Sequence, residues 1–271
     1  MGRIDSRSVG AGIGAMMQMC TTHDLMRGTQ VPMDVFSYHY YNGISERLAS
    51  MMPSGHWDGS EAHTDAYLAV APTNAKAYAS LRDQYVPGGQ MWVTESGDAG
   101  GGGDTWASTY LDVLRTLNEL GSFSMITDGV IFHNTLASSD YGFMKHGTFE
   151  PRPNYFAVLL WNTLMGTVVY DCGNPDCEGA HVYCHSRRDG KDGCVYLVIN
   201  NSLTDTTTVE LPGPAELYTL SGNGDMRAPV ACLNGEALVL GKNDSLPALR
   251  GETRNDGIVE LAPGSCTFIV L

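Results

Sequence analysis

The sequence predicts two architectures in succession: the C-terminal part of a (β/α)8 barrel over residues 1–169, then an antiparallel β-sandwich over residues 170–271. Three observations carry this. Before about residue 170, strand-like apolar runs alternate with helix-period segments, the pattern of a parallel sheet with crossover helices. Beyond it, short strands are separated by turns rich in Asp, Asn, Gly and Pro. The run Gln90-Met91-Trp92-Val93-Thr94 leads into Glu95, and the chain then breaks into Gly97 and Gly100 to Gly103. A parallel barrel strand presents a carboxylate at its C-terminal mouth in this way, with glycines leaving room beside it.

The elements follow in order. Ala11 to Arg27 reads as a helix, with Ile13, Met16, Met17, Cys20 and Leu25 near one face. Met33 to Tyr41 reads as a strand, Asn74 to Gln84 as a helix behind Pro72, and Met91 to Thr94 as a strand. Thr105 to Leu120 reads as an amphipathic helix capped by Asp104 and stopped by Gly121. Gly129 to Asn134 is a strand, and Asn154 to Leu164 a helix stopped by Gly166. Strands are then expected near His181–His185, Cys194–Asn200, Thr206–Leu211, Ala215–Thr219, Ala237–Leu240, Ile258–Leu261 and Cys266–Leu271. A closed barrel needs roughly 200–250 residues, and residues 1–169 carry three strands, so the α/β part reads as a portion of something larger.

The net charge of −14 on 271 residues argues against nucleic acid or an anionic membrane as a partner. It leaves open an acidic substrate met by a local basic pocket. No apolar run approaches the ~18 residues of a transmembrane span, and Met1-Gly2-Arg3-Ile4-Asp5 has no apolar signal core. Six of the seven cysteines (Cys172, Cys177, Cys184, Cys194, Cys232 and Cys266, all but Cys20) follow residue 170. No Cys-x-x-Cys pair is among them, so disulfides in an oxidising compartment are expected rather than a zinc site. The sequons Asn200-Asn201-Ser202 and Asn243-Asp244-Ser245 are compatible with an extracellular, secretory or lysosome-like location. His56, His63 and His146 are scattered in loops and suggest no metal site.

Three segments resemble glycoside hydrolase family 79, the heparanase and β-glucuronidase family. Asp34-Val35-Phe36-Ser37-Tyr38-His39-Tyr40-Tyr41-Asn42-Gly43 is similar to its His-Tyr-Tyr strand. Trp92-Val93-Thr94-Glu95-Ser96-Gly97, the glycines and the helix ending Leu117-Asn118-Glu119-Leu120-Gly121 resemble its nucleophile strand and following helix. Asn134-Thr135-Leu136, Asp140-Tyr141-Gly142-Phe143-Met144, Pro151-Arg152-Pro153-Asn154-Tyr155-Phe156 and Leu164-Met165-Gly166 resemble its last barrel strand and helix. The resemblance runs from about residue 30 to 271 and implies a retaining glycosidase that needs no cofactor. Such chemistry uses two carboxyls about 5–5.5 Å apart, one a nucleophile and one an acid/base.

By this resemblance Glu95 is the nucleophile and His39 and Tyr40 are active-site residues. Strand neighbours point to opposite faces, so those two cannot face the same space. Gly100 and Gly101 match positions whose backbone amides approach a uronate carboxylate, and Tyr141 matches a tyrosine that binds it. Asn134 stands where the family has glutamine, His133 where it has arginine and Ala99 where it has tyrosine. The family's acid/base lies in an Asn-Glu pair, and no such pair precedes Met33. The expected substrate is a uronic-acid-bearing glycan or glucuronide, with a separate N-terminal chain as a conceivable partner completing the barrel. The alternatives are a non-catalytic glycan-binding or structural chain, or a retaining barrel glycosidase for another sugar.

Overall fold

The computed structural model describes residues 21–173, 179–255 and 257–271. Most of the helix expected over Ala11–Arg27 lies outside them. Its described part is α1 (Thr22–Met26), which starts where the Thr21 hydroxyl accepts from the Asp24 amide. A parallel sheet follows, with β1 (Val35–Ile44), β2 (Gln90–Gly100) and β3 (Ile131–His133) side by side in that order. The crossovers are α2 (Asp65–Leu68), α3 (Val70–Tyr85) and α4 (Leu111–Ser124), and α5 (Pro153–Leu164) comes after β3.

The helix-facing side of this sheet is packed. Phe36, Tyr38 and Tyr40 of β1 join Met91 and Val93 of β2 against Ala71, Ala75 and Tyr78 of α3 and Phe123 of α4. Tyr38 stacks on Tyr78 at 3.8 Å, and Tyr40 meets Phe123 edge-on at 5.1 Å. The other face, bearing Ser37, His39, Tyr41, Trp92 and Thr94, is only half-buried.

Two helix boundaries differ from expectation. Helix α3 begins ahead of Pro72, because proline in a first turn lacks only an N–H that has no intrahelical partner there. The segment Thr105–Ser108 forms a separate 3-10 turn, and α4 proper runs from Leu111 through Gly121 to Ser124. Asp104 does not cap it by its side chain; the carboxylate instead accepts from the Glu46 amide at 2.5 Å. Gly121 is a packing residue, not a stop. A Cβ there would lie 2.3 Å from the Tyr183 ring, so its lack of a side chain lets α4 cross the next sheet closely.

That sheet is antiparallel. Its strands are β4 (Met165–Tyr170), β5 (His181–Arg187), β6 (Cys194–Ile199), β8 (Ala215–Ser221), β9 (Cys232–Leu233), β10 (Glu236–Ala237) and β13 (Cys266–Val270), ordered β10-β9-β8-β13-β6-β5-β4. Strand β11 (Glu252–Arg254) also pairs with β8, and β7 (Thr207–Leu211) forms a two-stranded ribbon with β12 (Gly257–Leu261). Strand β4 follows α5 directly, through Gly166, whose Cβ would strike Ser186 Oγ at 2.3 Å. The strand expected over Ala237–Leu240 is reduced to the two residues Glu236 and Ala237.

One face of the antiparallel sheet packs on α4 and α5, with Leu114, Leu117, Phe156 and Leu160 meeting Tyr183, Leu197, Leu220 and Phe268. The opposite face packs on the ribbon through Val198, Leu217, Ile269, Leu211 and Leu261. The molecule is thus a three-stranded parallel α/β sheet whose helices also cover an antiparallel sheet.

Among the described residues the expected disulfides are not formed: Cys172, Cys184, Cys194, Cys232 and Cys266 are free thiols. Cys184 and Cys194 sit on adjacent strands but out of register, opposite Tyr196 and Ser186 respectively. Cys20 and Cys177 lie outside the described residues. Among the described residues no helix is long and apolar enough to cross a membrane.

Candidate active site

The orientation of Glu95 follows from a break in the alternation of β2. Its helix-facing buried positions are Met91, Val93, Ser96 and Asp98, spaced by two, three and two. The odd step is a bulge: Tyr38 of β1 pairs with Val93 and His39 with Glu95, so Thr94 is the extra residue. Bulges re-aim side chains beside sites. Here one turns Ser96 and Asp98 toward the helices and leaves Glu95 on the half-buried face with His39 and Tyr41.

On that face the Tyr41 hydroxyl donates to Glu95 Oε1 at 2.5 Å, and His39 Nδ1 lies 3.4 Å from Glu95 Oε2. Asn134 Nδ2 donates to the Tyr41 hydroxyl at 2.8 Å and to the Tyr141 hydroxyl at 3.2 Å. The Tyr41 and Tyr141 rings lie 6.0 Å apart, tilted by 39°. A continuous array therefore runs Tyr141, Asn134, Tyr41, Glu95. Burial, and next the Glu95 carboxylate it serves, push the Tyr41 phenol well above its usual range, so it stays a proton donor. Glu95 and His39 keep 34% and 39% of their side-chain surface exposed, so the carboxylate is reachable.

Tyr40, expected beside Glu95, is not there. It is buried in the helix-facing core and donates to Asn42 Oδ1 at 2.5 Å. Strand parity is the reason: His39 and Tyr41 are two apart and share a face, and Tyr40 between them takes the other. Tyr41 is the partner of Glu95 that sequence reasoning missed. The same parity, counted from His39, is the signal that identifies it.

Asn134 is placed by its own backbone, whose amide donates to the Ser96 carbonyl at 2.7 Å as the chain leaves β3. Tyr141 is held from behind. Its carbonyl accepts from His133 Nε2 at 2.6 Å and from Asn154 Nδ2 at 3.3 Å, and Asn154 also reaches Asp112 Oδ2 at 3.1 Å. His133 stacks on Phe143 at 4.1 Å. Burial first, and then the Arg115 charge, push its imidazole down to about 4.

Behind β2 lies a buried charge cluster. Arg115 donates to both oxygens of Asp112, at 2.6 and 3.2 Å, and to Glu119 at 2.5 Å. Burial alone would lower its pKa, but Asp112 and then Glu119 reverse that and hold the guanidinium charged. Asp98, with one oxygen accepting from the Asp104 amide at 2.9 Å and the other unpartnered, has its carboxyl pushed well up by burial and by Asp112. Glu119 in turn meets Ser96, the neighbour of Glu95.

The glycine loop also differs in detail from expectation. Gly101, Gly102 and Gly103 have φ of +103°, +104° and +77°, the left-handed region that glycine alone enters cheaply, whereas Gly100 ends β2 as strand. Gly97 and Gly103 are the glycines nearest the tyrosines: a Cβ would lie 3.0 Å from Tyr41 at Gly97 and 2.8 Å from Tyr141 at Gly103. Arg47 Nη1 donates to the Gly103 carbonyl at 2.5 Å and its other nitrogen pairs with Asp140, tying β1's following loop across the glycines. Among the described residues no group of three His, Cys, Asp or Glu side chains could hold a metal ion.

No family model matches the chain. It is 29% identical over 188 residues to baicalin-β-D-glucuronidase of Scutellaria baicalensis, covering 66% of this chain and 36% of that protein. It is 25% identical over 277 residues to heparanase-like protein 1 of Arabidopsis thaliana, covering 88% of this chain and 50% of that protein. The chain thus spans half or less of the length of these relatives. In fold it is similar to a 4-O-α-L-rhamnosyl-β-D-glucuronidase from Fusarium oxysporum 12S, with a TM-score of 0.66, 14% identity, and coverage of 99% of this chain and 58% of that one. The chain is thus similar in sequence to a β-glucuronidase and a heparanase-like protein, and in fold to a β-glucuronidase.

Proposed function

We propose that this chain carries the nucleophile half of a retaining glycoside hydrolase acting on β-glucuronides, either as a β-glucuronidase or as a heparanase-like endo-β-glucuronidase. The observation that carries it is the Glu95 carboxylate held by the Tyr41 hydroxyl on the open face of β2. In this reading the parallel α/β part, through Leu164, is the C-terminal part of a (β/α)8 barrel, and the antiparallel part, from β4 onward, is the β-sandwich packed on it.

Retaining chemistry assigns the steps. Glu95 attacks the anomeric carbon and forms a glycosyl ester while an acid protonates the departing oxygen, and water then displaces the ester. Tyr41 orients the carboxylate oxygen that does not attack. Tyr141 and the amides near Gly100 and Gly101 face the uronate carboxylate, with Asn134 and His39 contacting sugar hydroxyls. No other carboxylate joins the Tyr141–Asn134–Tyr41–Glu95 array among the described residues. In this reading the acid/base is supplied by a separate N-terminal chain or segment completing the barrel, and the chain alone is inactive. An extracellular or lysosome-like setting suits the substrate class.

The test is a Glu95→Gln substitution in the assembled enzyme, assayed on an aryl β-glucuronide. Turnover should fall by at least ~1,000-fold while substrate affinity changes little. Retention of most activity would remove Glu95 from the role.

A further inference from the structure

A cleft lies on the antiparallel sheet, and Glu95 is not among its lining residues. It opens where α5 ends and leaves the ends of β5, β6, β8 and β13 uncovered, and it has a volume of about 180 Å³. That is much more space than a single bridging water needs. Leu164, Val195 and Val270 are the aliphatic residues of its lining. One wall is the half-buried ring of Tyr218, backed by Gly251, where any Cβ would lie 2.7 Å from the ring.

The rim is basic in an acidic protein. The chain has 16 Lys and Arg against 30 Asp and Glu, yet this cleft is lined by Arg187, Arg188 and Lys191 against Asp189 and Glu216. The two carboxylates are already engaged. Arg187 grips Asp189 with two nitrogens, at 3.0 and 2.7 Å, and pulls its carboxyl down to about 2. Glu216 accepts from the Tyr218 hydroxyl at 3.1 Å. Lys191 lies 3.6 Å from Asp189, and the exposed Arg188 guanidinium has no partner among the described residues. Aliphatic and aromatic side chains together with one uncommitted guanidinium and a lysine beside it match a ring that carries a carboxylate.

We propose that this cleft is a second saccharide site, binding one acidic sugar unit with its ring against Tyr218 and its carboxylate at Arg188 and Lys191. The choice of a uronate as ligand rests on the proposed function, but the site's geometry does not. In a glycan-acting assembly such a site would hold a distant part of the same acidic polymer, raising its effective concentration at Glu95.

The experiment titrates the isotopically labelled 271-residue chain with sodium glucuronate, glucose and sodium sulfate, separately, and reads amide and tyrosine-ring NMR shifts. Saturable glucuronate shifts at Arg188–Lys191 and Tyr218 are expected. They should be weakened about 10–100-fold in Arg188→Ala and left unchanged in Glu95→Gln. Arg188→Ala should fold, because the side chain is exposed and only its backbone amide is used, donating to the Leu164 carbonyl. Three results overturn the proposal: glucuronate shifts confined to the surroundings of Glu95 and lost in Glu95→Gln; sulfate matching glucuronate with no effect on Tyr218, which makes this a simple anion site; or glucose binding equally well. Saturation at Arg188 would stand even if Glu95 proved not to be the nucleophile, so the two ideas fail separately.

Discussion

At the scale of single residues, the most consequential contact is the hydroxyl of Tyr41 on Glu95. A hydrogen bond to a charged group contributes ~1.5–3 kcal/mol, so Tyr41→Phe in the assembled enzyme should lower kcat by about 10–100-fold with little change in fold. A circular dichroism spectrum like that of the unsubstituted protein, together with unchanged kcat, would show that Tyr41 only fills space. The carboxylate and its glycine loop are legible in the sequence, because a strand ending in one acid and several glycines is a local pattern. Its partners are less so. Alternation in β1 shows that His39 and Tyr40 diverge, but which of them faces Glu95 depends on the bulge at Thr94. That bulge is a relation between two strands and leaves no mark in either one alone. Asn134 and Tyr141 are visible by resemblance, whereas the hydrogen bonds from Asn154 and His133 that hold Tyr141 depend on three-dimensional packing.

Among the elements, α4 is the unusual one. Twelve of its fourteen residues are buried, Asp112, Arg115 and Glu119 included, because sheets lie on both sides of it. Arg115→Met would leave two carboxylates in the interior without their cation, a loss of ~3–5 kcal/mol. The denaturant midpoint should fall accordingly, and adding Asp112→Asn and Glu119→Gln should recover most of it. If the single variant unfolds at the original midpoint, the cluster contributes nothing to stability. Periodicity makes α3, α4 and α5 apparent in the sequence. It misplaces the ends of α4 because Asp104 and Gly121 are ordinary cap and stop residues that tertiary contacts use differently, one to hold the Glu46 amide and the other to admit Tyr183. Strand β4 escapes notice for a similar reason: Gly166 looks like a terminator, and the close approach of Ser186 that requires it comes from another strand.

For the whole molecule, the division into an α/β part and an antiparallel part is legible from composition, because parallel strands need crossover helices between them and antiparallel ones need only turns. The way the parts share a core is not, since the residues that meet are far apart in the chain. Acid response belongs to this scale. His133 is held neutral in the fold, down to about 4 from an ordinary 6.5, so the unfolded chain binds a proton that the folded one refuses across that interval. Its contribution is fully present above pH 6.5 and is lost as pH falls toward 4, with a slope of up to ~1.4 kcal/mol per pH unit. Melting temperatures measured from pH 7.5 to 4 should drop more steeply for the native chain than for His133→Gln, and parallel curves would refute this. The contact of Gly121 with the Tyr183 ring has a further consequence, for descent. Any side chain at 121 is compatible only with a smaller group at 183, so the two positions can drift only together. The antiparallel half is therefore not an interchangeable accessory: a homologous half grafted onto this α/β part would have to bring a residue that accepts glycine at its back.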